Sequence, residues 1–490
     1  MRSARLALLV ACGCGRLGFG DSSGAPIDEL GYPETVEAVL GTTALTVAPR
    51  DPAPAGARFS LAPTLPAGLT FDPATGVIAG TPQAAVDDLA YAITAAHDGH
   101  LTTATLRLTV LPGYVVDVDL DAADDDAGVD ATCRASAVGG CTLRAAIETA
   151  NHRGTKQLVL LDARPYRLGQ ALPALTSDVV IAGQGAAVTS VRGTTPHPGF
   201  GFLVLATRHT VGVRKLTVAE LGPVDGPVAH VTQGALAIEA AQLADNVAAS
   251  SGGALFIAGG ASVAIDTTLF VGNSASSGNG WGGVIDGEDA GTSIVVRRST
   301  ATRNVADWGA FAHITEGTTL RLENSTLYGN KSAIAGTLAT PGGLYTLIHA
   351  TIAANTTTGN LSAGLYLHSS PGGYTLASTL VAGNTDAAGK RRNCHRVDVA
   401  SRVSSRGGNL FDDDAGTCAA ALTGAGDQLG RDPALVGGLA DHGGPTPTVM
   451  PAAGSLAIDH GAPADCLATD QRGQVRPLGA GCDVGAVEAQ

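Results

Sequence analysis

Two acidic clusters are the first places where this chain could do chemistry. "NTD" (Asn384 to Asp386) and "DDD" (Asp412 to Asp414) set out carboxylates of the kind that protonate a leaving oxygen and activate water. An elimination would instead need a base beside a carboxylate, with clustered aspartates holding calcium. Arg297 and Arg298, or Lys390, Arg391 and Arg392, are the basic candidates, yet spacing gives them no acidic partner and solvated loop charges explain them as well. His442 and His460, in "DHGG" and "DHG", read as turn residues. Seven aspartates in fourteen residues, Asp117 to Asp130, offer the hard oxygen ligands that calcium takes. The EF-hand grammar fails there: Ala122 stands where the turn glycine belongs, and no glutamate closes the loop. A solvated acidic linker is the preferred reading and calcium the alternative. No catalytic, cofactor-binding or metal-ligating residue is assigned.

The elements that must position these groups are repeats. "EAAQLADN", "DTTLFVGN", "RSTATRN", "ENSTLYGN", "HATIAAN" and "ASTLVAGN" each close on an asparagine: Asn246, Asn273, Asn304, Asn330, Asn355 and Asn384. Their separations are 27, 31, 26, 25 and 29 residues, a period that marks stacked coils. Within each repeat, Gly precedes alternating apolar residues, a Gly-containing turn, a second alternating strand and a Ser/Thr pair. Two or three strands per ~27-residue turn are what a parallel β-helix needs, each coil lying ~4.8 Å above the last. Equivalent asparagines then stack, and their amides donate and accept along the file. Asparagine also tolerates the left-handed backbone, so it is expected to turn the chain at the end of a strand. Asn384 thereby acquires a structural reason, and its place in an acidic motif becomes coincidental.

Composition agrees with a solenoid. Hydrophobic residues reach 44 % while aromatics are 4 %, and Gly supplies 66 of 490 residues. Small inward Val, Ile, Leu and Ala suit stacked coils; a Phe/Trp-filled core is excluded. The net charge of −14 leaves no basic stripe to neutralise phosphates, which argues against a nucleic-acid partner.

The start, "MRSARLALLVACGCG", joins a positive n-region to a short apolar run, and Leu9-Val10-Ala11-Cys12 resembles the bacterial lipobox. That resemblance implies lipidation of Cys12 and attachment to a membrane only through the lipid. Gly13 after it lacks the aspartate associated with inner-membrane retention. The six later cysteines pair most economically by proximity as Cys133–Cys141, Cys394–Cys418 and Cys466–Cys482, which fits an oxidising, exported location. Six cysteines permit 15 connectivities.

Three further resemblances organise the chain. "LPAGLTFDPATGVIAGTP" within residues 28–112 resembles the immunoglobulin-like, cadherin-related modules of bacterial surface proteins, which are mostly spacers. "CTLRAAIETAN" (Cys141 to Asn151) resembles the CSLREAI motif at the entry of bacterial right-handed parallel β-helices. It predicts a helix with Leu143, Ile147 and Ala150 on one face, Thr142 as N-cap, and no capping-box glutamate at Ala145. "GGPTPT", "SLAIDHG", "DQRGQVRP" and "CDVGAVE" resemble, in order, the terminal segment of choice-of-anchor Q proteins. There Asp470, Arg472 and Asp483 are expected to form a buried salt bridge that ties the end together. These likenesses imply a pectin-lyase-like solenoid without implying an enzyme. The polygalacturonase likeness of the two acidic motifs lacks that family's Gly-His-Gly and Arg-x-Lys pieces.

The expected fold is all-β: signal and tether (1–27), a small β-sandwich (28–112), an acidic linker with capping helix (113–157), a right-handed parallel β-helix (158–435) and a C-terminal capping segment (436–490). The expected role is an exported structural, adhesive or glycan-binding module at the outer membrane, cell surface or outside the cell, with a polysaccharide or cell-surface ligand as partner. The alternative is an extracellular lyase or glycosidase acting on acidic polysaccharide, which −14 net charge disfavours. No residue pattern specifies an oligomeric state.

Overall fold

Strand-length alternation of apolar and polar residues is realised throughout a computed structural model that describes residues 30–50, 56–275, 278–369, 371–398, 401–413 and 415–489. Cys12 with its tether, and Asp414, lie outside the described residues. The chain divides into two compact units at Val110/Leu111.

The first unit is a sandwich of two sheets. Thr35–Val39, His100–Leu111, Val86–His97 and Arg58–Ala62 form one; Leu45–Val47, Ile78–Gly80 and Leu69–Phe71 form the other. Their inner faces share one core that includes Phe59, Tyr91, Ile93, Leu106 and Leu108.

The second unit is a parallel β-solenoid. Two sheets have eleven strands each, a third has eight and a short fourth has five. A representative coil runs Ala312–Ile314 (third sheet), Thr319–Glu323 (first), Thr326–Tyr328 (second) and Lys331–Ala335 (fourth). In the first sheet every second residue points inward, as Val263 and Ile265, Ile294 and Val296, and Leu320 and Leu322 do in successive coils. Each fully buried Val, Leu or Ile contributes about 1.5–3 kcal/mol. Stacking repeats that contribution at every rung.

The asparagine file is continuous and fully buried. Asn304 Nδ2 donates to Asn330 Oδ1 (2.9 Å) and to Phe270 O (3.1 Å), while its own Oδ1 accepts from Asn273 N (2.9 Å) and Asn273 Nδ2 (3.0 Å). Asn246, Asn273, Asn330 and Asn355 make equivalent bonds to the next member. At the far end, Asn384 Nδ2 donates to Asn393 Oδ1, and Asn393 Nδ2 to Asp412 Oδ1, so a carboxylate terminates the file. The turn itself is made one residue earlier than expected. Asp245, Gly272, Arg303, Gly329, Ala354 and Gly383 carry the left-handed φ, from 52° to 69°. With the preceding residue reversing the chain, each asparagine is free to aim its amide inward along the axis.

A second left-handed file, from Lys215 through Thr267, Arg298 and Asn324 to Ser378, turns the first sheet into the second. In the middle of this file the next positions, Ser299 and Ser325, hold hydroxyls that bridge coils: Ser299 Oγ accepts from Thr268 N and Ser325 Oγ from Ser299 N.

Helix α1 (Leu143–Asn151) closes the first coil, with Leu143, Ala146, Ile147 and Ala150 in the solenoid core. Thr142 Oγ1 accepts from Ala145 N. The acidic stretch before it departs from a solvated linker. Gly113–Val116 is already an outer strand of the first sheet, and Asp121 forms a bidentate pair with buried Arg144 (2.7 and 2.9 Å). Asp117, Asp124 and Asp126 accept main-chain N–H groups of Cys141, Gly128 and Val129. Carboxylates that look like free charge are used to tie the segment over the helix. Gly128 permits this closeness: a Cβ there would lie 2.5 Å from Glu148 O, at a φ of +82°. At the other end, the short turn Gly416–Ala421 covers the last coil. Disulfides join Cys133 to Cys141, Cys394 to Cys418 and Cys466 to Cys482. No helix among the described residues is long and apolar enough to cross a membrane.

Candidate functional site

Third-sheet strands are short, and their middle residue faces outward between two inward neighbours. Strand register places Val204, His230, Phe256, Asp286, His313, Ala339, Tyr366 and His395 in one file. Rings stack along it: His230 on Phe256 at 4.7 Å and Tyr366 on His395 at 6.1 Å. Ala339 interrupts the file with a single methyl, opening a notch between His313 and Tyr366.

The neighbouring corner supplies the walls. Trp308 ends the strand Val305–Trp308 after a register shift past Ala306, a bulge that re-aims its side chain. Trp281 bridges to Trp308 from the coil below. Trp308 packs 5.6 Å from Tyr366, and Trp281 stacks on His313 at 5.9 Å and 17°. Together with Glu288 and His368 they enclose a groove of about 420 Å³. Trp281 remains 38 % exposed at its mouth, whereas Tyr366 is 2 % exposed at its floor.

The groove is acidic and imidazole-lined. Asp286 is fully buried, and its Oδ1 lies 2.7 Å from His313 Nδ1. A carboxylate there makes Nδ1 the donor, so the neutral ring keeps Nε2 as an acceptor. Asp286 Oδ2 has no hydrogen-bond partner among the described residues. Burial raises the Glu288 carboxyl above its ordinary value, and the Asp286 and Asp289 charges push the same way. No Lys or Arg lines the groove among the described residues.

The residues singled out from sequence fall elsewhere. Asp386 accepts from Lys390 N, Ala388 N and Arg392 Nε, each at 3.0 Å, and these bonds hold it below the usual carboxylate range. That is a turn carboxylate in an ion pair. Asp412 ends the asparagine file and pairs with Arg391 at 3.0 Å. Arg297 and Arg298 are also paired across coils, with Glu323 (2.6 Å) and Asp266 (2.8 Å), so acidic partners do exist where spacing alone suggested none. Among the described residues, no group of three or more His, Cys, Asp or Glu is arranged to hold a metal ion.

The C-terminal motif behaves differently from an end cap. It runs along the flank of the second sheet, crossing successive coils. Thr446 Oγ1 donates to Arg298 O, Gln471 Nε2 to Thr300 Oγ1, Asn324 Nδ2 to Thr469 O, and Ala462 N to Ser378 Oγ. Asp470 does pair with Arg472 (2.9 Å), but Asp483 does not join them. Asp483 accepts from Asp459 N and Ala489 N. The fully buried pair is Arg476 with Glu488 (2.6 Å), which the sequence reading passed over. His442 meets Thr448 Oγ1 and His460 the Ile458 carbonyl, both local turn contacts.

Sequence reasoning missed the groove entirely. Its signal lies in aligning the third-sheet strands "LFI", "IDG", "AHI", "LAT" and "LYL", whose central residues are Phe256, Asp286, His313, Ala339 and Tyr366.

Residues 33–111 match the protein family described as Putative Ig domain, so the first unit is similar to those modules. No curated protein and no solved structure matches the chain. An Ig-like domain and a β-solenoid in one chain fit, in general terms, a structural or adhesive surface module.

Proposed function

We propose that this chain is an exported bacterial surface protein in which a lipid on Cys12 is the anchor, the Ig-like domain a spacer and the solenoid a rigid display body that binds a polysaccharide or cell-surface ligand. The lipobox at Leu9–Cys12, the CSLREAI-like helix and the choice-of-anchor Q-like C-terminal motif support this reading. Three disulfides support an oxidising location. The observation that carries the binding role is the groove, walled by an exposed Trp281 and a half-buried Trp308 on a stacked scaffold. Amphipathic rings left open on a surface are typical of recognition sites.

The experiment follows the chain in a bacterial host that processes lipoproteins. Palmitate label should enter the parent protein and be lost in Cys12→Ser, and antibody should reach the parent on intact cells. Palmitate-free parent protein held in the cytoplasm overturns the proposal.

A further inference from the structure

We infer that the groove between Trp281, Trp308 and Tyr366 is a binding subsite for an uncharged pyranose glycan. The inference rests on the surface-module reading above and gives its ligand a chemical class. Four observations lead there.

First, the walls are aromatic and fixed. Tyr366 packs with Ala335 and Ala339 in an apolar cluster that also holds Trp308, so neither ring must be ordered when a ligand arrives. Preorganised rings cost less on binding. The C–H face of a pyranose presents apolar surface that such rings cover.

Second, the notch has a sugar's dimensions. Rungs repeat at ~4.8 Å, so His313 and Tyr366, two rungs apart, leave ~10 Å above Ala339. Two van der Waals contacts of ~4 Å fit within that span. The cavity of about 420 Å³ holds more than a single small cation would fill.

Third, the rim offers unspent polar groups suited to hydroxyls. His313 Nδ1 is occupied by Asp286, which leaves Nε2 to accept from a sugar hydroxyl. Glu288, Asn279, Thr315 and His368 lie around the same opening. Thr340, by contrast, is already used, donating to Gly343 O and accepting from Gly342 N.

Fourth, the electrostatics select against acidic sugars. Glu288, Asp286 and Asp289 stand together and, among the described residues, no Lys or Arg lines the groove, on a chain of net charge −14. A uronate would meet like charge without a partner. The acidic polymers expected of a lyase are therefore the wrong ligands for this site.

The test uses the full chain with an array of uncharged, uronate-containing and amino-sugar oligosaccharides, plus free choline as a small-cation probe. At least one uncharged pyranosyl oligosaccharide should bind. Trp281→Ala, an exposed change that leaves the core untouched, should weaken it at least about tenfold. Val188→Ala, an exposed change outside the groove's lining, should retain it. Matching thermal melts for parent and variants show that folding is not the cause. Binding restricted to uronates or to choline, binding unchanged by Trp281→Ala, or no uncharged oligosaccharide bound would each overturn the inference. Surface exposure and palmitate labelling that persist alongside any of those results would leave the display reading standing, so the two failures are distinguishable.

Discussion

The solenoid has two contrasting flanks built from the same coils. On the second sheet, outward threonines Thr300, Thr326 and Thr351 are at most 3 % exposed because the C-terminal segment lies over them and hydrogen-bonds to them. On the third sheet the outward file stays uncovered, and the neighbouring corner sets Trp281 beside it, 38 % exposed. Short hydroxyls stack flat and accept a covering chain; large rings around a missing side chain leave a hollow. The difference teaches that a repeat supplies the frame, whereas function is written in the rungs where the repeat is interrupted.

The comparison breaks most severely at the column that both flanks lean on. Asn304→Leu removes four buried hydrogen bonds: Asn273 N loses the acceptor it has there, while Asn330 Oδ1 and Asn273 Nδ2 each fall back on one remaining bond, from residue 304 N and to Leu243 O. Unpaired buried groups cost ~1–3 kcal/mol each and the other lost bonds add to that, so a loss of about 5 kcal/mol is expected in urea denaturation. Parent-like unfolding would show that the column is ornamental.

Next comes the covered flank. Arg476→Met strands Glu488 as an uncompensated buried charge, at a cost of about 3–5 kcal/mol. Hydrogen exchange should quicken across 463–489 before it does in the first sheet. Uniform protection would refute a locally docked segment.

The same flank carries a titratable sensor. Burial beneath the C-terminal segment, helped by the Arg476 charge, pushes the His349 imidazole down to about 3, although Asp483 O and Asp465 O lie 3.0 and 3.1 Å from its two nitrogens. The unfolded chain takes its proton near 6.5. Stability is therefore full above pH ~6.5 and falls as the pH drops toward 3, by about 3 kcal/mol at pH 4. His349→Gln should flatten the decline in melting temperature between pH 7 and 4. An unaltered slope assigns the acid sensitivity to other groups.

The smallest effect on stability belongs to the open flank. Trp281→Ala should lower unfolding free energy by only about 1 kcal/mol, the worth of its stacking on His313, while removing a wall of the groove. A large loss would make Trp281 a packing residue and erase the contrast between flanks.

Much of this frame is legible in the amino-acid order. A buried amide must be paired, so Asn recurs at each coil wherever the file continues, and the recurrence is visible as spacing. Inward Val, Ile and Leu recur for the same reason. The left-handed turn was harder to place, since Asp, Gly, Arg and Ala all serve at the residue before the asparagine. The acidic run misled because composition cannot tell a solvated carboxylate from one capping a main-chain N–H. Asp286 and His313 sit 27 residues apart, and Trp281, Trp308 and Tyr366 come from separate coils, so their convergence depends on strand register. Periodicity reveals what repeats, and the groove is made of what does not.

The C-terminal strand of contacts has a mechanical corollary. A stack of coils touching only nearest neighbours can peel open rung by rung from either end. Here one polypeptide segment is laced to the backbone or side chains of residues from Arg298 to Ser378, so those rungs must let go together or not at all. That lacing converts a row of separable coils into a single cooperative body.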